Sequence, residues 1–220
     1  MRSEEASAKL ISHYDPKSPI SESFRTLRTN IQFAGINREI KSIMVTSAGP
    51  GEGKSTVISN LAITMAQARN QVLLIDADLR KPSLHDTFQL TSRKGLTDLL
   101  ISQANLDQVV CEGTDVFLDI IPAGKTPPNP ADLLGSRRMK ELLEEFRTLY
   151  DIILIDAPPT LAVTDPQLLA NCVDGVLLVM KSGGTHREDA KKAKALLDHV
   201  GANIIGAVLN SKKVETMAYY

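Results

Sequence analysis

Cysteine is nearly absent: among 220 residues only Cys111 and Cys172 occur, far apart and in no metal-type pair. That excludes a disulfide framework and a thiolate zinc site, and it fits a reducing cytoplasm. Charge of one sign is also missing, with 25 Lys plus Arg against 26 Asp plus Glu. No bulk field therefore argues for nucleic acid or a membrane surface as the partner. Uninterrupted apolar runs reach only about half a dozen residues, as in VLLVM (176–180), where a membrane span needs roughly 20. The opening MRSEEASAKL is charged and polar, with no secretory leader pattern. Internal repeats and low-complexity tracts are lacking too. The length suits one α/β domain over residues 1–220, long enough for a sizeable core.

What is present is an alternation. Apolar stretches at 40–46, 72–76, 116–121, 151–155, 175–180 and 203–209 read as strands. Helical spacing at 55–69, 136–149, 165–172 and 186–200 lies between most of them. This order predicts a mostly parallel central sheet flanked by helices on both faces. Ligands then bind beyond the carboxyl ends of the strands.

The sharpest signal is TSAGPGEGKST (46–56), set between the apolar run IKSIMVTS and the helical pattern STVISNLAITMAQA. A strand, a glycine turn and a helix form the context of a phosphate-binding loop. The N–H groups of Gly51, Gly53, Lys54 and Ser55 would bind anionic oxygens, aided by the positive end of the helix. Gly49, Glu52 and Thr56 complete the nucleotide-binding stretch. Lys54 would reach the β- and γ-phosphates of ATP, and the Ser55 hydroxyl would ligate Mg²⁺. One departure is visible: Ala48 stands where G-x-x-x-x-G-K-[ST] begins with glycine.

Two strand ends carry aspartates. QVLLIDADLRKP (71–82) delivers Asp76 and Asp78, two apart and so on one face of an extended chain. Paired carboxylates repel unless a cation or proton lies between them, and Mg²⁺ is the obvious cation given Ser55. Arg80 either binds phosphate or anchors the turn. YDIILIDAPPT (150–160) ends in Asp156, the pattern of a Walker B element that acts on Mg²⁺ directly or through water. Lys54, Asp76 and Asp78 are the candidate catalytic residues, and Ser55, Asp78 and Asp156 the candidate metal ligands.

Together these motifs resemble the bacterial tyrosine autokinases (BY-kinases): a Walker A loop, a strand ending D-x-D-L-R-x-P, a Walker B strand, and PPNPADLL (127–134). The similarity runs from about Ser18 to Asn210 and resembles the split form of Gram-positive bacteria. The resemblance implies a P-loop NTPase-like fold and a protein-tyrosine kinase using ATP and Mg²⁺. It implies a cytoplasmic chain brought to the inner face of the membrane by a membrane-embedded activator protein. A homo-oligomeric ring, other protein substrates, a cognate phosphotyrosine phosphatase and a role in capsule or exopolysaccharide production follow from it as well.

The acceptors it implies are Tyr219 and Tyr220, in a tail of about 211–220 that holds two of only four tyrosines. An interface helix is implied at about 18–35. There Ser18 and Pro19 make a helix start, and Ile20, Phe24, Leu27 and Ile31 form an apolar stripe. Glu22, Arg25 and Arg28 match the family's E-x-x-R-x-x-R element, which packs neighbouring subunits. A tyrosine hydroxyl, with an ordinary pKa near ~10, needs a base. Asp76 is the expected proton acceptor, with Asp78 supporting metal and acceptor placement, although the sequence alone does not separate the two. Asn210 is expected at the adenine ring, as in related P-loop proteins. His13, His85, His186 and His199 show no ligand spacing, and the charge run in 187–199 reads as a solvated helix face. The competing reading is a ParA/MinD-like ATPase that switches oligomeric state. Those proteins carry a signature lysine where this chain has Gly49, and their membrane-binding forms end in a basic amphipathic helix that this tail does not show.

Overall fold

The computed structural model describes residues 9–35 and 39–212. Tyr219 and Tyr220 therefore lie outside the described residues. The chain opens with α1 (Ile11–Tyr14) and α2 (Pro19–Ala34), then enters the sheet at β1 (Ser42–Ser47), followed by α3 (Lys54–Ala66) and β2 (Val72–Asp76). Short helices α4 (Leu84–Thr87) and α5 (Leu96–Leu100) lead to β3 (Cys111–Glu112) and β4 (Leu118–Ile121). Then come α6 (Pro130–Leu134), α7 (Arg137–Leu149), β5 (Ile152–Asp156), α8 (Asp165–Ala170), β6 (Gly175–Lys181), α9 (Arg187–His199) and β7 (Ile204–Asn210).

The sheet has seven strands in the order β3-β4-β2-β5-β1-β6-β7. Every pairing is parallel except β3 against β4. Both faces of the central strands β1, β2 and β5 are covered, as their largely apolar sequences require, while β7 at the edge is partly exposed. Side chains alternate along β1: Ile43 and Val45 enter the layer under α1, α2 and α3, while Met44 enters the layer under α7, α8 and α9. Helix α3 is buried all round from Val57 to Ala66, because α1 and α2 cover its outer side. Among the described residues no helix is long and apolar enough to cross a membrane.

All six strands read from the sequence form, with ends shifted by a residue or two. What was not legible is short. β3 is two residues long, too brief for any periodicity, and is held where Gly113 lets the backbone pass Leu118; a Cβ there would lie 2.6 Å from that side chain. α3 stops at Ala66 instead of running on to 69, and Arg69 adopts φ 64 in the turn that follows. The helix read at 18–35 is Pro19–Ala34, started by Ser18, whose Oγ accepts the Ser21 N–H at 3.2 Å. Of its stripe, Phe24, Leu27 and Ile31 pack inward, while Ile20 stays exposed. All four histidines are exposed. On α9 the charges form exposed pairs such as Lys191–Glu188.

At the amino ends of the strands one ionic network closes the sheet. Arg147 on α7 donates to both Asp174 oxygens, at 2.8 and 3.0 Å, and to Ser42 Oγ at 2.7 Å. Asp174 Oδ2 also accepts the N–H groups of Lys41 and Ser42, at 3.0 and 2.9 Å. Burial alone would raise the Asp174 pKa, but Arg147 and these N–H groups outweigh it and hold the carboxyl below its ordinary value. A depressed carboxylate stabilises the fold above its unfolded pKa and loses that contribution as pH falls through its folded value. Asp174→Asn should therefore cost about 1.5–3 kcal/mol at pH 7. The deficit should shrink in denaturant melts as pH falls below the ordinary carboxylate range. A deficit that did not change with pH would show that the carboxylate charge is not what Arg147 holds.

Candidate active site

The strand order places the carboxyl ends of β2, β5 and β1 side by side, with Asp76 paired to Asp156 and Asp156 to Val45. From the end of β1 the chain turns through residues 48–53 into α3. Gly51 and Gly53 take φ of 74° and 88°, the left-handed region that L side chains avoid. Ala48 takes no positive φ, so the missing first glycine costs the loop nothing. No side chain caps α3, which leaves its first-turn N–H groups free to bind an anion.

Lys54 leans across the strand ends. Its Nζ lies 3.1 Å from Asp78 Oδ2, 3.8 Å from Asp156 Oδ1 and 3.5 Å from Ser55 Oγ. Burial opposes its charge, but Asp156 and then Asp78 outweigh that and raise its pKa, so the ammonium stays protonated. Asp156 is fully buried, and neither of its oxygens accepts a hydrogen bond. Burial pushes its pKa up to about 6, against the pull of Lys54.

Asp76 is equally buried but engaged. Its Oδ2 accepts the Ser83 and Leu84 N–H groups at 3.0 and 2.9 Å, and its Oδ1 accepts the Asp78 N–H at 3.2 Å. Burial, followed by the nearby Asp156, raises its pKa to about 7 in spite of these donors. Asp78 Oδ1 accepts the Lys81 N–H at 3.0 Å.

These residues suit a hard divalent cation. A buried carboxylate that accepts no hydrogen bond is costly unless enough positive charge faces it, and Asp156 shares the Lys54 ammonium with Asp78. Asp156, Asp78 and the Ser55 hydroxyl are oxygen donors of the kind Mg²⁺ takes. Among the described residues no group of three or more His, Cys, Asp or Glu forms a self-contained metal cage.

The turn after β2 is pinned from outside. Arg80 Nε and Nη2 donate to the two oxygens of the buried Asp165, both at 2.9 Å. Of the two roles open to Arg80 from sequence, the geometry shows the anchor, with α8 as its mooring. The segment after β5 is tied to the phosphate loop in a similar way. Thr46 Oγ1 donates to the Pro158 carbonyl at 2.7 Å, and Thr160 and Leu161 N–H groups bond to Ser47 and Ala48 carbonyls. Asn210 Nδ2 donates to the Glu52 carbonyl at 3.0 Å and presses on Gly53, where a Cβ would come within 2.0 Å of it. The Glu52 carboxylate turns away to Ala48 N and Thr185 Oγ1, so Glu52 can offer a nucleotide its backbone N–H.

Gly49, Gly51, Glu52, Gly53, Lys54, Ser55, Thr56 and Asn210 thus gather in one place with Asp76, Asp78 and Asp156. Glu22, Arg25 and Arg28 lie on α2. Arg25 pairs with Glu22 at 2.8 Å, and Arg28 Nη1 donates to the Thr64 carbonyl at 2.6 Å. Asp165 and Thr185 escaped the sequence reading. Asp165 carries only a helix-start signal (Thr164, Asp165, Pro166), and nothing in the spacing links it to Arg80.

A family model described as an AAA domain matches residues 40–184. Tyrosine-protein kinase YwqD of Bacillus subtilis is 47% identical over 211 residues, covering 96% of this chain and 89% of that protein. The chain belongs to the bacterial tyrosine-protein kinases. Among solved structures, the chimerical protein CapA2B2 superposes with a TM-score of 0.89 at 39% identity, over 92% of this chain and 89% of that one. The kinase domain of Escherichia coli tyrosine kinase ETK gives 0.89 at 35% identity, over 96% and 84%. The septum site-determining protein MinD of Pyrococcus horikoshii, solved with Mg-ADP, reaches a TM-score of 0.66 at 24% identity, over 77% and 69%. That likeness shows the P-loop fold alone. This family member therefore carries a nucleotide-binding kinase fold.

The Arg80–Asp165 clamp holds the turn that presents Asp78, and it does not touch the phosphate loop. Arg80→Gln or Asp165→Asn should lower phosphoryl-transfer turnover by roughly 10- to 100-fold, the scale of an ångström misplacement. ADP affinity should stay near the wild-type value. Equal losses in turnover and in ADP affinity would show that the whole site had collapsed.

Proposed function

We propose that this chain is an ATP-dependent protein-tyrosine autokinase. It transfers the γ-phosphate to Tyr219 and Tyr220 of neighbouring subunits and to other proteins, in control of capsule or exopolysaccharide production. The observation that carries the reading is the meeting of Lys54 with three buried carboxylates at an uncapped helix start. Hydrolysis needs only a placed water; a tyrosine acceptor needs a base, and Asp76 is oriented by three N–H donors and made more basic by burial.

In the proposed reaction the acceptor hydroxyl oxygen bonds to the γ-phosphorus as the bond to the ADP oxygen breaks. Its proton passes to Asp76, and ADP leaves. Lys54 and the first-turn N–H groups of α3 stabilise charge on the moving phosphoryl group. Ser55, Asp78 and Asp156 would hold Mg²⁺, which supplies further neutralisation of the phosphates when bound. Asn210, whose Nδ2 bonds to the Glu52 carbonyl beside Gly53, would contact the adenine ring.

Transfer between subunits needs an assembly, here a homo-oligomeric ring joined through α2. Arg28 seats that helix on α3, while Glu22 and Arg25 remain nearer its outer side. Exposed ion pairs contribute only ~0.2–1 kcal/mol each. Each phosphotyrosine adds about −1.5 to −2 charges. Phosphorylation would thus loosen the ring, and a cognate phosphatase would reset it. A membrane-embedded activator protein would recruit this cytoplasmic chain to the inner face of the membrane and order the site.

Mixing a chain that lacks the site lysine with a chain that lacks the tail acceptors tests the reading. Lys54→Met should abolish transfer while the fold is kept. A second chain with Tyr219 and Tyr220 both changed to Phe keeps its site but offers no tail acceptor. With Mg·ATP and the activator's cytoplasmic segment, mass spectrometry should find phosphotyrosine on the Lys54→Met tail. Phosphotyrosine on wild-type tails but none in the mixture would refute transfer between subunits, and transfer by Lys54→Met alone would refute the role of Lys54.

A further inference from the structure

We infer that Glu52 and Thr185 form a brace that holds the phosphate-binding loop in its anion-binding shape, acting as positioning residues. The inference rests on the nucleotide-binding reading of that loop and concerns how its conformation is kept. The loop is not held by packing alone. A Cβ at Gly51 would meet nothing within 4 Å. Beside the loop lies a cavity of about 370 Å³, lined by Gly49, Pro50, Glu52, Leu161, Thr185 and His186. A glycine-rich turn with open space next to it has many conformations available, and only a few aim its N–H groups at one point.

The brace removes that freedom. Glu52 is buried, and its carboxylate spans the loop: Oε2 accepts the Ala48 N–H at 3.1 Å, and Oε1 accepts the Thr185 hydroxyl at 2.7 Å. Thr185 Oγ1 in turn accepts the Lys181 N–H at 2.7 Å, which fixes the hydroxyl's direction and closes the turn after β6. The first residue of the loop is thereby tied to its fifth, and the fifth to the neighbouring strand. Asn210 holds the Glu52 carbonyl from β7. Because both hydrogen bonds to the carboxylate are charge-assisted, they are stronger than neutral ones. Neither residue needs to touch the nucleotide through its side chain. Their contribution is to order the cradle before the ligand arrives, which spares the binding free energy that ordering would consume.

ADP binding to the full chain, measured by calorimetry, tests this without any turnover. Thr185→Val should weaken ADP binding by about 10-fold, the loss of one charge-assisted bond, and Glu52→Ala, which removes both bonds to the carboxylate, should weaken it further. The double variant should bind no more weakly than the worse single, since both changes break one brace. Thr185→Ser keeps the hydroxyl and should restore near wild-type affinity. Unchanged affinity in both single variants, or losses that multiply in the double variant, would overturn the brace. If Glu52→Ala does not fold, the Thr185→Val and Thr185→Ser pair decides by itself. Wild-type protein that binds no ADP would overturn the loop reading and the brace with it.

Discussion

Three carboxylates, Asp76, Asp78 and Asp156, lie almost out of water around a single ammonium, that of Lys54. Desolvation and mutual repulsion both act against three charges in such a space, and they raise the pKa values of Asp76 and Asp156. Such an arrangement is costly to a fold. It persists because the surrounding segments hold the carboxylates in place. Asp156 shows the imbalance most plainly, with no hydrogen bond to either oxygen.

The rest of the architecture follows from keeping that cluster together. Neighbouring parallel strands bring the ends of β2, β5 and β1 to one edge, in register to the residue. The connections are then fastened one to another. Backbone N–H groups of the turn bind Asp76, Arg80 reaches Asp165, Thr46 holds the segment after β5, and Thr185 holds Glu52. At the opposite end of the sheet, Arg147 and Asp174 close the strand starts, which keeps the scaffold rigid away from the chemistry.

Much of this was legible in the sequence, for a physical reason. Lys54, Ser55, Asp76, Asp78 and Asp156 sit in local patterns whose meaning is set by strand direction and glycine turns, and long apolar strands declare themselves. Tertiary partnerships were not legible. Nothing near Arg80 announces Asp165, and nothing near Glu52 announces Thr185, because such pairs depend on which loops the fold brings together. The same limit applies to Ala48. A missing glycine looked like a defect in the motif, yet the backbone there needs no left-handed conformation. On α2, the family resemblance made Arg28 an interface residue, and nothing in its spacing announced that its guanidinium bonds within the chain to the Thr64 carbonyl.

If the buried carboxylates form a cation-dependent phosphate site, ADP affinity should differ with and without Mg²⁺. Calorimetric titrations of the wild type and of Asp156→Asn measure that difference most directly. Mg²⁺ should tighten ADP binding to the wild type severalfold, and Asp156→Asn should lose that gain while still binding metal-free ADP through Lys54 and the loop. An equal gain from Mg²⁺ in both proteins would contradict a cation site at these carboxylates.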